Sequence, residues 1–135
     1  MRKGNVNKIK IRKAKYYTPE EVFLAFEDNL LFSKIKRKIF FDGDFIKANS
    51  QRIQTFKKKG CTCVSCGLQG TYFVKEKVDG DGSFHLNLYG INQKGKEILF
   101  TKDHIIPKSK GGIYDIINYQ KMCFNCNVKK GNKFE

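Results

Sequence analysis

Apolar positions first fall into helical spacing after Thr18. Val22, Phe23, Phe26 and Leu30 lie on one face, behind a stretch, Thr18-Pro19-Glu-Glu21, that supplies a cap, a first-turn proline and a capping-box acid. This predicts an amphipathic helix whose phenylalanine stripe packs into a core. Residues 33–48 place β-rich flanks on either side of Asp42-Gly43, which predicts a hairpin of 35–41 and 45–48. Ser50 caps a further predicted helix running to Lys59 and stopped by Gly60. Alternation then returns at 72–77 and 83–89 around the turn 79–82. Phe84, Leu86 and Leu88 share one face there, and His85, Asn87 and Tyr89 the other. His85 is read as exposed, and Asp79 and Asp81 as turn residues rather than half of a calcium loop. Residues 92–96 turn the chain into a mostly β-branched strand, 98–106, that carries Asp103-His104 near its end. Pro107, Ser109 and Gly111-Gly112 form a loop. A second extended run, 118–122, leads into a short helix from Cys123 to Gly131.

The fold class expected from this order is α+β: one small domain of 135 residues, stapled by a metal and ending in a strand-loop-strand-helix core. The expected divisions are a flexible basic arm at 1–17, a helix and hairpin region at 18–60, and a zinc-stabilised domain at 61–135. Lys and Arg number 27 against 13 Asp and Glu, a formal charge of +14. Such an excess suits a polyanion, nucleic acid before an anionic membrane surface. No apolar run is long enough to span a bilayer, and the N-terminus is polar and basic, so neither a transmembrane helix nor a secretory signal is expected. The expectation is an intracellular protein in which thiols stay reduced, its oligomeric state open with a monomer favoured.

In that compartment five cysteines read as metal ligands rather than disulfides. Cys63-Val-Ser-Cys66-Gly67 has the shape of a zinc knuckle, and Cys123-Phe-Asn-Cys126 is its expected partner. Four thiolates make a closed structural Zn²⁺ site with no open position for chemistry. Cys61 is left either as a free thiol or as a competitor of Cys63. Two basic stretches keep two readings each. The seven cations of residues 1–15 are a phosphate-tracking arm or a solvated tail, and Lys34, Lys36, Arg37 and Lys38 are a DNA-facing strand or a soluble edge. Lys57, Lys58 and Lys59 are explained by the helix dipole alone.

The run Asp103-His104-Ile-Ile-Pro107, the Gly111-Gly112 loop, Asn118 before the second strand and the finish Cys123-x-x-Cys126-Asn127-x-x-Lys130 resemble, in order, the HNH endonuclease motif on the ββα-metal fold. With Cys63 and Cys66 the resemblance covers the C-terminal half, and it is nearest to the small free-standing HNH proteins of bacteriophages. The last position of the motif is Asn127 here rather than His, a variant that the family includes. The resemblance implies a metal-dependent endonuclease that hydrolyses phosphodiesters of double-stranded DNA, by nicking or double-strand cleavage. His104 is the expected base for the attacking water, because histidine titrates near neutrality. Asp103 and Asn127 are expected to hold a catalytic Mg²⁺ or Mn²⁺ through hard oxygen ligands. Asn118 is expected to orient His104, and Lys108, Lys110, Lys129 and Lys130 to contact phosphates. If phage-encoded, the protein would act in the cytoplasm of a bacterial host. Two competing readings are a zinc-stabilised DNA-binding module without catalysis, and a structure-specific or RNA-directed nuclease on the same core.

Overall fold

Thr18 and Glu21 close the capping box in full. The Thr18 amide donates to Glu21 Oε1 at 2.8 Å and the Glu21 amide to Thr18 Oγ1 at 3.1 Å. The computed structural model, which describes residues 10–29, 38–47, 51–113 and 116–131, starts helix α1 there, at Pro19–Asn29. Val22 and Phe26 are buried, and Phe23 meets Phe73 edge to face at 5.9 Å. Leu30, Ser50 and residues 33–37 lie outside the described residues.

The fold is α+β, and the described residues form three α-helices and antiparallel sheets. The chain forms two compact units, one of residues 1–49 with 73–87 and the other of 50–72 with 88–135. The division expected at residue 60 therefore does not appear. Helix α2 (Gln51–Lys59) belongs with the second unit and strand β4 (Tyr72–Val78) largely with the first.

In the first unit, strand β1 (Lys10–Tyr17) pairs antiparallel with β4. This corrects the arm expected over 1–17, of which only 1–9 lies outside the described residues. The signal was hidden because Lys10, Arg12, Lys13 and Lys15 break the usual alternation of a strand. Their charges are met by acids distant in sequence: Lys10 and Arg12 by Glu76 (3.4 and 3.7 Å), Lys13 by Asp44 (3.7 Å) and Lys15 by Asp42 (3.0 Å). The Asp42-Gly43 hairpin forms as expected, between β2 (Lys38–Phe41) and β3 (Asp44–Lys47). Both turn residues have positive φ, 46° and 89°, the geometry that matches strand twist in a two-residue turn. Ile39 and Ile46 are its buried face. Lys75 on β4 is fully buried and spends its ammonium on Phe41 O (2.6 Å), Asp42 O (2.8 Å) and Asp44 Oδ2 (3.0 Å). A buried ammonium needs such partners to offset its desolvation.

Strand β5 (His85–Ile91) begins in the first unit and ends in the second. In the second unit it pairs with β6 (Glu97–His104) through a turn in which Asn92 Oδ1 accepts the amides of Lys94 and Lys96, each at 2.9 Å. Strand β6 pairs in turn with β7 (Tyr119–Cys123), and helix α3 (Phe124–Lys130) follows without a loop. The core of this unit holds Ile53 and Phe56 of α2 against Phe100 and Tyr119, all at most 1 % exposed. Among the described residues no helix is long and apolar enough to cross a membrane.

Candidate metal and nuclease site

Gly60 ends α2 with φ 93°, and the chain enters a tight loop. The Cys63 amide donates to Leu68 O (2.8 Å), and the Gly67 amide, at φ 81°, donates back to Cys63 O (3.0 Å). This closes a knuckle around Cys63 and Cys66. The second knuckle is the junction of β7 and α3. Cys123 ends the strand in extended conformation, and Cys126 lies in the first turn of the helix. The four sulfurs of Cys63, Cys66, Cys123 and Cys126 lie within 4.8 Å of one another. Cys66 Sγ and Cys123 Sγ are 3.8 Å apart. A zinc-sulfur bond of about 2.3 Å gives a tetrahedral edge of about 3.8 Å, so the donors fit one zinc ion and the spacing excludes a disulfide. Cys61 is not one of the four.

Electrostatics point the same way. Burial raises the Cys63 thiol, but hydrogen bonds from the amides of Cys123, Cys66 and Ser65 outweigh it and hold Cys63 down at about 7. Burial pushes Cys123 up to about 12, and the negative charge of Cys63 adds to the shift. Cys126 is also raised, chiefly by burial. Thiols this close cannot all ionise without a cation among them, and a dication supplies that charge.

The β6–β7 register builds the second half of the site. Asp103 lies opposite Gln120 and His104 opposite Tyr119. The His104 ring packs edge-on to buried Tyr119, with centroids 5.1 Å apart. Asp103 is buried, and its Oδ2 accepts from Gln120 Nε2 and from Lys130 Nζ, each at 2.9 Å. Lys130 Nζ also donates to His104 O at 2.9 Å. Asn127, one residue after Cys126, donates from Nδ2 to Thr101 Oγ1 at 2.8 Å. Asp103, His104 and Asn127 line one cleft of about 290 Å³ together with Pro107, Lys108 and Lys130.

The loop over this cleft is tied by Asn118. The buried side chain accepts the Ile106 amide at 2.9 Å and donates to Ile106 O (3.1 Å) and Ile113 O (3.0 Å), while Asn118 O accepts the Ile105 amide at 2.8 Å. The two glycines serve different ends. Gly111 adopts φ 92°, whereas a Cβ on Gly112 would come within 1.8 Å of Ile106 O. Asn118 therefore fixes the backbone just beyond His104 rather than lining the cleft.

The four lysines expected at phosphates separate. Lys108 and Lys110 stand exposed on a 3-10 turn and Lys129 is exposed on α3, but Lys130 is nearly buried against Asp103. Lys59 anchors Tyr119 O rather than pointing to a ligand. Sequence reading missed Gln120 and Thr101, which brace Asp103 and Asn127. Neither belongs to the motif, and the long loop between the strands hides the register that pairs Gln120 with Asp103.

A comparison with protein families matches residues 92–135, the C-terminal third of the chain, to the HNH endonuclease family. The matched segment holds Asp103, His104, Asn118, Cys123, Cys126 and Asn127, whereas Cys63 and Cys66 lie ahead of it. No curated protein and no solved structure matches the chain.

Proposed function

We propose that the chain is a metal-dependent endonuclease of HNH type that hydrolyses phosphodiester bonds of double-stranded DNA, a reading supported by the similarity of residues 92–135 to the HNH endonuclease family. The observation that carries the reading is the meeting of Asp103 and His104 of β6 with Asn127 of α3 in one cleft, next to the four-cysteine cluster and the loop tied by Asn118. A DNA-binding module without catalysis would not require these three in one place.

The imidazole of His104 takes the proton of the attacking water, a general-base role that histidine fills at neutral pH. Asp103 and Asn127 offer the oxygens that would hold Mg²⁺ or Mn²⁺. The donor set suits such an ion, because a buried carboxylate and a carboxamide supply hard oxygen donors. Asp103 and Asn127 would hold the ion where it would supply Lewis-acid polarisation of the phosphoryl group and charge stabilisation of the leaving oxygen. Lys130 and Gln120 both grip Oδ2, which fixes the plane of the carboxylate and leaves its other oxygen as the ligand for a metal. Asn118 keeps the loop from shifting the backbone after His104. Lys108, at the edge of the cleft, and Lys110 and Lys129 contact phosphates flanking the reacting one. Cys63, Cys66, Cys123 and Cys126 would hold a zinc ion with no open position for chemistry, and Cys126 would thereby set the position of its neighbour Asn127.

The test is conversion of supercoiled plasmid to nicked or linear form by the zinc-loaded protein, with and without Mg²⁺ or Mn²⁺. Cleavage only with added metal is expected. Tight DNA binding with no cleavage under any metal would leave a binding module.

A further inference from the structure

The first unit lies outside the family match, and its hairpin has a face that the nuclease reading does not use. Phe40 and Phe45 are direct cross-strand partners on β2 and β3. Their rings meet edge to face at 5.2 Å, yet they are 64 % and 54 % exposed. Large aromatics are costly to leave in water, and here two sit side by side where Phe41, their neighbour, is packed. Phe41 contacts Tyr17 at 5.0 Å and lies under the Lys75 ammonium at 5.4 Å. The hairpin is also tied to its surroundings at several points. Ile39 and Ile46 are buried, Lys75 binds the turn carbonyls, and Asp42 accepts from Tyr17 Oη at 2.6 Å. On the other edge of β3, the Phe84 amide donates to Phe45 O at 3.0 Å.

Two residues along the ribbon from the phenylalanines, about 7 Å away, the next pair in phase is Lys38–Lys47, and Lys38 is exposed. An aromatic pair followed by the exposed cation of Lys38 is complementary to a strand with free base faces and adjoining phosphates. Base stacking on aromatics tolerates any sequence, and cations follow the backbone. The hairpin acids do not spoil this complement, because Asp42 and Asp44 are engaged by Lys15, Lys13 and Lys75.

We propose that the outer face of the β2–β3 hairpin is a stacking platform for unpaired bases of a nucleic-acid strand. The proposal rests on the reading of the chain as a nucleic-acid enzyme and narrows its substrate to DNA that presents single-stranded bases, as at a branch, gap or melted segment.

The chain has no tryptophan, so Phe40→Trp creates a lone emitter at the platform. It is made in a His104→Ala background, so that binding is read without cleavage, and titrated with single-stranded oligothymidylate and with a duplex of equal length. The single strand is expected to quench the emission strongly and the duplex weakly. Phe45→Ala should weaken single-strand binding about tenfold and leave duplex affinity unchanged. Phe45→Trp serves as the reporter if Phe40→Trp does not fold. An oligonucleotide that binds by anisotropy without changing the emission overturns the proposal. So does a blue shift that follows protein concentration alone, which assigns the face to a second copy, or one that needs anionic vesicles. Quenching in the reporter protein, together with no plasmid cleavage by the protein that keeps His104, would leave the platform and sink the nuclease reading. Plasmid cleavage without quenching would do the reverse.

Discussion

The two units use charge in opposite ways. The first has 14 Lys and Arg against 9 Asp and Glu, and its described ion pairs close the cations of β1 and β4 on Asp42, Asp44 and Glu76. The second has 13 against 4, and its buried acid, Asp103, sits in the wall of a cleft with His104 and Asn127. The same residue types thus form framework in one unit and a candidate reactive centre in the other. Both units are net positive, so the sign of the charge does not distinguish them. What does is whether a buried acid is enclosed by cations, as Glu76 is by Lys10 and Arg12, or opens on a space that a ligand can enter.

The sharpest way to separate the units is to remove the metal cluster. Cys126→Ser, or stripping zinc with a strong chelator, should unfold the second unit. Structural zinc contributes roughly 10–16 kcal/mol in small zinc folds, as much as the whole stability of a domain, about 5–15 kcal/mol. Metal analysis should find one zinc per chain, and amide exchange in 51–72 and 88–131 should accelerate first. A zinc-free protein with that exchange unchanged would refute the cluster.

A smaller effect distinguishes two adjacent lysines of α3. Lys130→Met breaks the pair with Asp103 at a nearly buried position and should cost about 3 kcal/mol in denaturant unfolding of the zinc-loaded protein. Lys129→Met, at an exposed position, should stay within about 0.5 kcal/mol but weaken DNA binding. Equal stability losses would mean that Lys130 is not the internal partner of Asp103.

These lysines also show what the sequence could and could not reveal. Chemistry contained in a few consecutive residues was legible. Thr18 with Glu21, Asp42-Gly43 and the two Cys-x-x-Cys spacings each specify their own local structure, and each forms. Chemistry that depends on register was not. Lys129 and Lys130 look alike until α3 is packed on β6, and Gln120 means nothing until it stands opposite Asp103. Strand β1 was hidden for the same reason, since its lysines need Glu76 and Asp42 from elsewhere in the chain. The convergence of Asp103 and Asn127 was anticipated only through the order of the motif.

The smallest effect belongs to the first unit. Burial, and then the hydrogen bond to Asp42, raise the Tyr17 hydroxyl well above 10.0. A raised folded value contributes stability that is complete below pH 10 and lost as the pH climbs through it. Asp42, held below 3.8 by Tyr17 and Lys15, contributes above that range and loses its effect as the pH falls. Tyr17→Phe should therefore flatten the alkaline fall in stability and leave plasmid cleavage near neutral pH unchanged. An unaltered alkaline limb would show that the pair does not set it.

The claim that the second unit carries out chemistry on DNA is tested most directly by His104→Ala, in plasmid cleavage and DNA affinity measured on the same preparation. Loss of a general base is expected to slow metal-dependent cleavage by about 10²–10⁴-fold while affinity and zinc content stay at wild-type levels. Cleavage at the wild-type rate by the His104→Ala protein would contradict the account.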